Sequence, residues 1–237
     1  MIQIQTYRLE PFYPAGTTKE PLTTEWLRDA VNQLMRDKRE KLEKEKVDVS
    51  LFFNHIPETG HPRIGYPLII YHYIDGLFYI TGINEGVLAI DSLAKHYKSP
   101  FNIDCIVFQG FRKEKSGAEF KLETTADMRS YQLIEWRPIH HDNLDAFMLM
   151  DMATKVNELN ISLEKHIINE LGKYLAISFD QFNCVITDIT RVYAPQIYKK
   201  RYHYPAFNIC FSVNVALPDM ITLGNHQALG FGRIEPK

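Results

Sequence analysis

A strand, helix, strand, strand, helix, strand order in the first half of the chain predicts an α+β protein. A two-residue hairpin turn inside that order and a second set of strands and helices after it predict the same. The architecture expected is a pair of tandem ferredoxin-like (RRM-like) domains with antiparallel sheets. The first covers residues 1–127, and the second, whose strand order is less legible, covers 128–237.

The elements follow in order. YRLEPF (7–12) alternates and reads as a strand, followed by a turn in PAGTTKEP. Thr23 or Thr24 then caps a helix in which Trp26, Leu27, Ala30, Val31, Leu34 and Met35 share one face. The mixed charges of DKREKLEKEK suit a solvated helix end. VSLFF (49–53) is apolar and β-rich and is expected as a strand, and PETGHPRIG is a loop. YPLIIYHYI (66–74) and LFYITGI (77–83) flank Asp75-Gly76, a strong hairpin signal. Residues 84–97 read as a second helix, and 103–109 and 119–125 as strands joined by a basic turn. In the second half, SYQLIEWRPIH (130–140) reads as a strand. Residues 143–173 read as two helical stretches broken near Asn160. CVITDITRVYA (184–194) alternates, and AFNICFSVNVALP (206–218) is an apolar strand.

With 237 residues, 45% apolar and 24% charged, the chain has the balance of a globular protein with a substantial core. No apolar run approaches the roughly 20 residues of a membrane span, so no membrane partner is expected. MIQIQTYRLE lacks the basic region, apolar core and cleavage site of a secretory signal. Cys105, Cys184 and Cys210 are widely spaced in apolar surroundings, as buried reduced thiols are, and a cytoplasmic location is expected. The formal charge of −2 argues mildly against nucleic acid. Against that average, YKKRYHY (198–204) sets three consecutive basic residues among aromatic rings and imidazole. That composition suits phosphate contact and base stacking, and equally an exposed strand end.

The chain closes on GNHQALGFGRIEPK, with Gly224, Gly230 and Gly232 inside nine residues. Glycine is costly in element interiors, so the cluster marks either a tight turn or a backbone that comes close to a ligand. Together with the preceding strand and Leu-Pro, it resembles the glycine-rich C-terminal motif of the CRISPR repeat-RNA-processing endoribonucleases. These are the sixth family of CRISPR-associated proteins. GYPLIIYHYIDGLFYITGINEG (65–86), FFNHIP (52–57) and SLEKHIINELGKYLAISF (162–179) resemble further segments of the family, its b subgroup in particular. The four matches run in order along most of the chain.

This resemblance implies tandem ferredoxin-like domains that bind the repeat segment of a CRISPR transcript. It implies cleavage without metal or cofactor: the 2′-hydroxyl attacks the neighbouring phosphate, leaving a cyclic phosphate and a 5′-hydroxyl. Other CRISPR-associated proteins and a second copy of the chain are compatible partners. The chemistry needs a base, an acid and positive charge, and histidine suits the proton transfers.

His55 matches the second histidine of the family's His-Asn-His segment and is the leading catalytic candidate; as a bare residue it reads equally as a strand-end histidine. Phe53 stands where the family has the first histidine. His61 is the substitute within reach along the chain, or an ordinary loop residue, and Tyr66 is a candidate supporting hydroxyl. Asn54 either orients a phosphate or caps the turn. For RNA binding the candidates are Lys199, Lys200, Arg201 and His203, with Gly224, His226, Gly230, Gly232 and Arg233 in the glycine-rich loop. Many family members carry lysine after the first glycine; here it is Asn225. The pair His140–His141 with Asp142 has no matched further ligand and reads as a strand end, so no metal site is assigned. A non-catalytic repeat-RNA-binding subunit and a ferredoxin-like small-molecule enzyme remain as rivals.

Overall fold

The computed structural model describes residues 1–12, 22–54, 59, 65–97, 100–104, 106–114, 118–173, 175, 179, 181–193 and 205–237. The chain folds as two compact units. One comprises residues 1–120 and 228–230, the other 121–227 and 231–237.

In the first unit the opening strand β1 (Ile2–Leu9) starts five residues before the expected one. Pro11 ends it, and β2 (Pro11–Phe12) leaves for another sheet. Helix α1 (Thr24–Asp37) begins where its cap predicts: the Thr23 hydroxyl accepts the Trp26 amide at 3.1 Å. Its buried residues Leu27, Ala30, Val31, Leu34 and Met35 are the expected face. A short α2 (Arg39–Lys44) follows.

The strand expected at 49–53 is instead a 3₁₀ turn, Val49–Phe52. The Asp48 carboxylate accepts the Ser50 amide at 3.0 Å, a local bond that outcompetes strand pairing. Leu51 and Phe52 are still buried, so their apolar character serves packing rather than a sheet.

The hairpin of β3 (Ile69–Ile74) and β4 (Leu77–Ile83) forms as expected. Asp75 and Gly76 both have positive φ, as a type I′ turn requires. Next come α3 (Glu85–Lys95), β5 (Phe101–Ile103), β6 (Ile106–Phe108), β7 (Arg112–Lys113) and β8 (Ala118–Phe120). The main sheet runs β3-β4-β1-β7, with β8 also on β1, all antiparallel. This is the ferredoxin-like order, with the fourth strand split in two. β5 and β6 pair with β2 in a small separate sheet. Alternate residues of the main sheet (Tyr7, Leu9, Ile69, Tyr71, Phe78, Ile80) pack against Leu27, Val31 and Leu34 of α1 and Ala89, Ile90 and Leu93 of α3 in one core.

In the second unit β9 (Thr124–Trp136) is followed by α4 (Leu144–Leu149) and α5 (Met152–Lys165), which continues as a π-helix over His166–Lys173. The helices break at Met150–Asp151 and not near Asn160. The Asp151 side chain caps α5 by accepting the Thr154 amide at 2.9 Å. Asn160 stays helical and turns its side-chain oxygen to the Ile186 amide at 2.8 Å. Strands β10 (Cys184–Tyr193), β11 (Ala206–Val215) and β12 (Arg233–Pro236) complete an antiparallel sheet ordered β10-β11-β9-β12.

The order of the first sheet thus recurs. The second helix of the repeat has no counterpart among the described residues: a connector with one short 3₁₀ turn, Gln227–Leu229, takes its place. No helix among the described residues is long and apolar enough to cross a membrane.

Candidate nucleic-acid interface around the glycine-rich loop

The glycine-rich loop is anchored by the end of β9. Glu135 has positive φ (55°) and its amide donates to the Asn208 side-chain oxygen at 2.8 Å, where the β9–β11 register shifts. This bulge delivers Trp136 and Arg137, both fully buried, to the loop.

Gly224, with φ of 91°, lies against them: an added Cβ would stand 2.9 Å from the Arg137 carbonyl oxygen and 3.0 Å from the Trp136 indole. The Arg137 carbonyl accepts both the Asn225 amide and the Asn225 side chain, each at 2.9 Å. The residue standing in place of lysine therefore closes the turn. Phe231 covers the Arg137 guanidinium, whose carbon lies 3.4 Å from the ring centre.

The loop's polar anchor comes from the π-helix. Glu170 accepts the Gly224 amide at 3.1 Å and the Gln227 side-chain amide through the same oxygen. Its other oxygen is 3.9 Å from His166 Nε2, beyond hydrogen-bond reach but close enough for electrostatic contact. Trp136 Nε1 donates to His166 Nδ1 at 3.2 Å. Indole is only a donor, so His166 Nδ1 is unprotonated and the neutral ring carries its proton on Nε2, toward Glu170.

Burial raises the Glu170 carboxyl to about 7, against the lowering effect of its bonds to Gly224 and Gln227. Burial, assisted by Lys165, lowers His166 to about 4.

These shifts act on stability with opposite signs. Glu170 rises from 4.5 to about 7, so its contribution is complete below 4.5 and is lost as pH rises through 7. His166 falls from 6.5 to about 4, so its contribution is complete above 6.5 and is lost as pH falls through 4. Glu170→Gln is expected to gain stability relative to wild type between pH 4.5 and 7, by on the order of 3 kcal/mol. Urea midpoints at pH 5 and pH 8 check this; an equal difference at both pH values would contradict it.

The other expected residues are placed as follows. His226, half-buried with φ of 64°, sits at the tip of the 224–227 turn, edge-on to Phe231 with ring centres 6.3 Å apart. Gly232, with φ of 73°, donates its amide to the Ile134 carbonyl at 3.0 Å and accepts the Leu223 amide at 2.9 Å. Arg233 is paired with Glu235, donating to one carboxylate oxygen at 2.6 and 3.0 Å. Gly230 belongs with the first unit, where an added Cβ would stand 2.4 Å from the Tyr71 carbonyl oxygen. The Gly224 and Gly232 amides are thus engaged within the protein, and both glycines shape the loop's chain crossing.

In the first unit Tyr66 is buried just before β3, and the Tyr71 hydroxyl donates to the Phe52 carbonyl at 3.1 Å. Phe53 packs on the core with the Arg36 guanidinium carbon 5.7 Å from its ring centre, and Asn54 takes a left-handed turn conformation (φ 51°). His140 pairs with Asp142 at 3.2 Å on the surface. His55, His61, Lys199, Lys200, Arg201 and His203 lie outside the described residues.

His166, Glu170 and Trp136 were not anticipated from the sequence. The one visible signal is the i,i+4 spacing of His166 and Glu170 within an apolar helix.

Comparison with known proteins agrees with this architecture. Residues 123–237, just under half of the chain, match the family model of the Cas6b C-terminal domain. A solved structure described as Cas6b superposes with a TM-score of 0.74 at 17% identity, covering 100% of both chains. A CRISPR RNA processing endoribonuclease Cas6b superposes at 0.61 with 16% identity over 99% of this chain and 100% of that one. Csf5, a CRISPR-Cas type IV Cas6 crRNA endonuclease, superposes at 0.63 with 14% identity over 99% of each. At these identities the likeness is one of fold. No match was found among curated proteins. Residues 123–237 thus match the Cas6b C-terminal domain, the family that the sequence motifs resemble, and the chain as a whole shares the fold of the solved Cas6b structures.

Proposed function

We propose that the protein is a CRISPR repeat-RNA endoribonuclease acting by metal-independent attack of a 2′-hydroxyl on the adjacent phosphate. The observation that carries this reading is the Cas6b C-terminal domain itself, with its glycine-rich loop built into the sheet where a ferredoxin-like repeat would place a helix. The relatives described as RNA-processing endonucleases support it.

In the proposed step the 2′-hydroxyl loses its proton to a base as its oxygen bonds to phosphorus. The bond from phosphorus to the 5′ oxygen breaks, and that oxygen takes a proton from an acid. His55 serves as base or acid, with His61 and Tyr66 in supporting roles. Lys199, Lys200 and Arg201 contact phosphates and His203 stacks on a base. In the loop, His226 contacts RNA. Gly224, Gly230 and Gly232 set the loop's path, and Arg233 acts with its charge balanced by Glu235.

A second reading, a non-catalytic repeat-RNA-binding subunit, is favoured by two observations. The family's first histidine is replaced by a core-packed Phe53, and Asn225 closes a turn in place of a cation.

Repeat RNA from the host's own array, incubated with the protein in EDTA, separates the two. Fragments ending in a cyclic phosphate and a 5′-hydroxyl support the nuclease. Salt-sensitive binding without fragments supports the subunit, and neither binding nor cutting overturns both.

A further inference from the structure

We propose that the cavity where β1 ends beside the β6–β7 connection binds a nucleotide, its phosphate between Arg8 and Arg112 and its base against Phe111. The site lies wholly on residues of the first unit and stands apart from the cleavage chemistry proposed above.

The cavity is about 160 Å³ and is lined by Arg8, Glu10, Gln109, Gly110, Phe111 and Arg112. At ~30 Å³ per water that is the space of roughly five waters. It is room for a phosphate and the edge of one base, and no room for a duplex. Gly110, with φ of 107°, makes the sharp connection from β6 to β7 that brings Gln109 and Arg112 to the same cavity.

Arg8 and Arg112 stand directly opposite each other on β1 and β7. Like charges in that position repel, and strand pairing does not call for them. Glu114 offsets Arg8 by meeting its Nε at 3.1 Å, whereas the exposed Arg112 has no hydrogen bond or ion pair among the described residues. Two guanidiniums on one rung of a ladder suit a phosphate, whose oxygens take charge-assisted bonds from both. An anion between them turns the repulsion into attraction.

Phe111 is half-buried and is the outer ring of a stacked run. From Trp26 through Phe108 and Phe101 to Phe111, successive ring centres lie 6.2, 5.6 and 5.7 Å apart. The run holds Phe111 in place, so it needs no reordering to receive a base. Glu10 and Gln109 are exposed and have no side-chain bond among the described residues. A carboxylate beside the two arginines disfavours a bare anion but accepts from the amino group of a base, and Gln109 both donates and accepts. The cavity thus offers a complementary group to each end of a nucleotide.

The test uses the full chain and its Arg112→Ala and Arg112→Lys forms. The probes are the four nucleoside 5′-monophosphates, inorganic phosphate and a short single-stranded RNA. Amide NMR shifts at residues 8–10 and 109–113 are followed in each titration. Saturable shifts are expected with at least one nucleotide, about tenfold tighter than with inorganic phosphate. Arg112→Ala is expected to weaken this binding by about tenfold or more, and Arg112→Lys, which keeps the charge without the fork, by less. Shifts from a monophosphate identify a free nucleotide as the ligand, and shifts from the RNA alone identify a nucleotide within a strand; either upholds the site.

Without ligand, Arg112→Ala is expected to match or exceed the wild-type urea midpoint, because it removes a cross-strand repulsion. Lost binding is then not lost folding. A clearly lower midpoint would make the arginine pair a structural one and overturn the proposal. So would the absence of shifts with every probe, inorganic phosphate binding as tightly as any nucleotide, or nucleotide binding that persists in Arg112→Ala.

Discussion

Gly232→Ala is expected to destabilise the second unit by roughly 3 kcal/mol or more, placing it among the most damaging single-methyl substitutions in the chain. Two causes add. The backbone at 232 has φ of 73°, which a side chain adopts only under strain. A Cβ there would also lie 1.9 Å from the Leu223 carbonyl oxygen, a backbone atom that cannot rotate away.

The surroundings leave little room to relax. Gly232 donates to the Ile134 carbonyl and accepts from the Leu223 amide, and Ile234 donates to the Ile221 carbonyl at 2.9 Å. The outgoing and returning arms of the loop are zipped to each other and to β9, and Leu223 and Ile234 are fully buried. A clear drop in the urea midpoint is the expected readout. A loss under about 1 kcal/mol would show that the crossing is looser than described.

His55→Ala is expected to slow cleavage of repeat RNA by about two to four orders of magnitude, the usual worth of a proton-transfer group. Affinity is expected to change little, because the proposed phosphate contacts at Lys199, Lys200 and Arg201 are separate from His55. His61→Ala is expected to cost less than about tenfold. If His61→Ala proved as damaging as His55→Ala, the two histidines would share acid and base work, with His61 replacing the partner that Phe53 removes. Wild-type rates in both variants would remove the 55–61 loop from the chemistry.

Local signals in the sequence translated directly where the interaction they report is itself local. The Asp75-Gly76 turn, the Thr23 cap and the apolar face of α1 each depend on neighbours within a few residues, and each formed as read. Misreadings arose where a short polar side chain had two choices. Asp48 converts an apolar run into a 3₁₀ turn, and Asp151 moves the helix break ten residues from where Asn160 suggested it. Asn160 spends its polarity on Ile186, 26 positions away, a pairing no local pattern carries.

The loop anchor was hidden for the same reason. Glu170 meets Gly224 across 54 positions and Trp136 meets His166 across 30. The second sheet was hard to order because, among the described residues, its repeat has no second helix like the one that punctuates the first. The glycines themselves were legible; the destination of their amides was not, since hydrogen-bond partners at Ile134 and Glu170 come from the fold.

The most direct test of the account is a cleavage measurement on two RNAs in EDTA. One is the intact repeat; the other carries a single 2′-deoxy nucleotide immediately upstream of the mapped cut. The first is expected to be cut at one position, and the second to be bound equally well and left whole. Cutting of the deoxy RNA at the same position would contradict it, because the attacking oxygen would then come from somewhere other than the RNA itself.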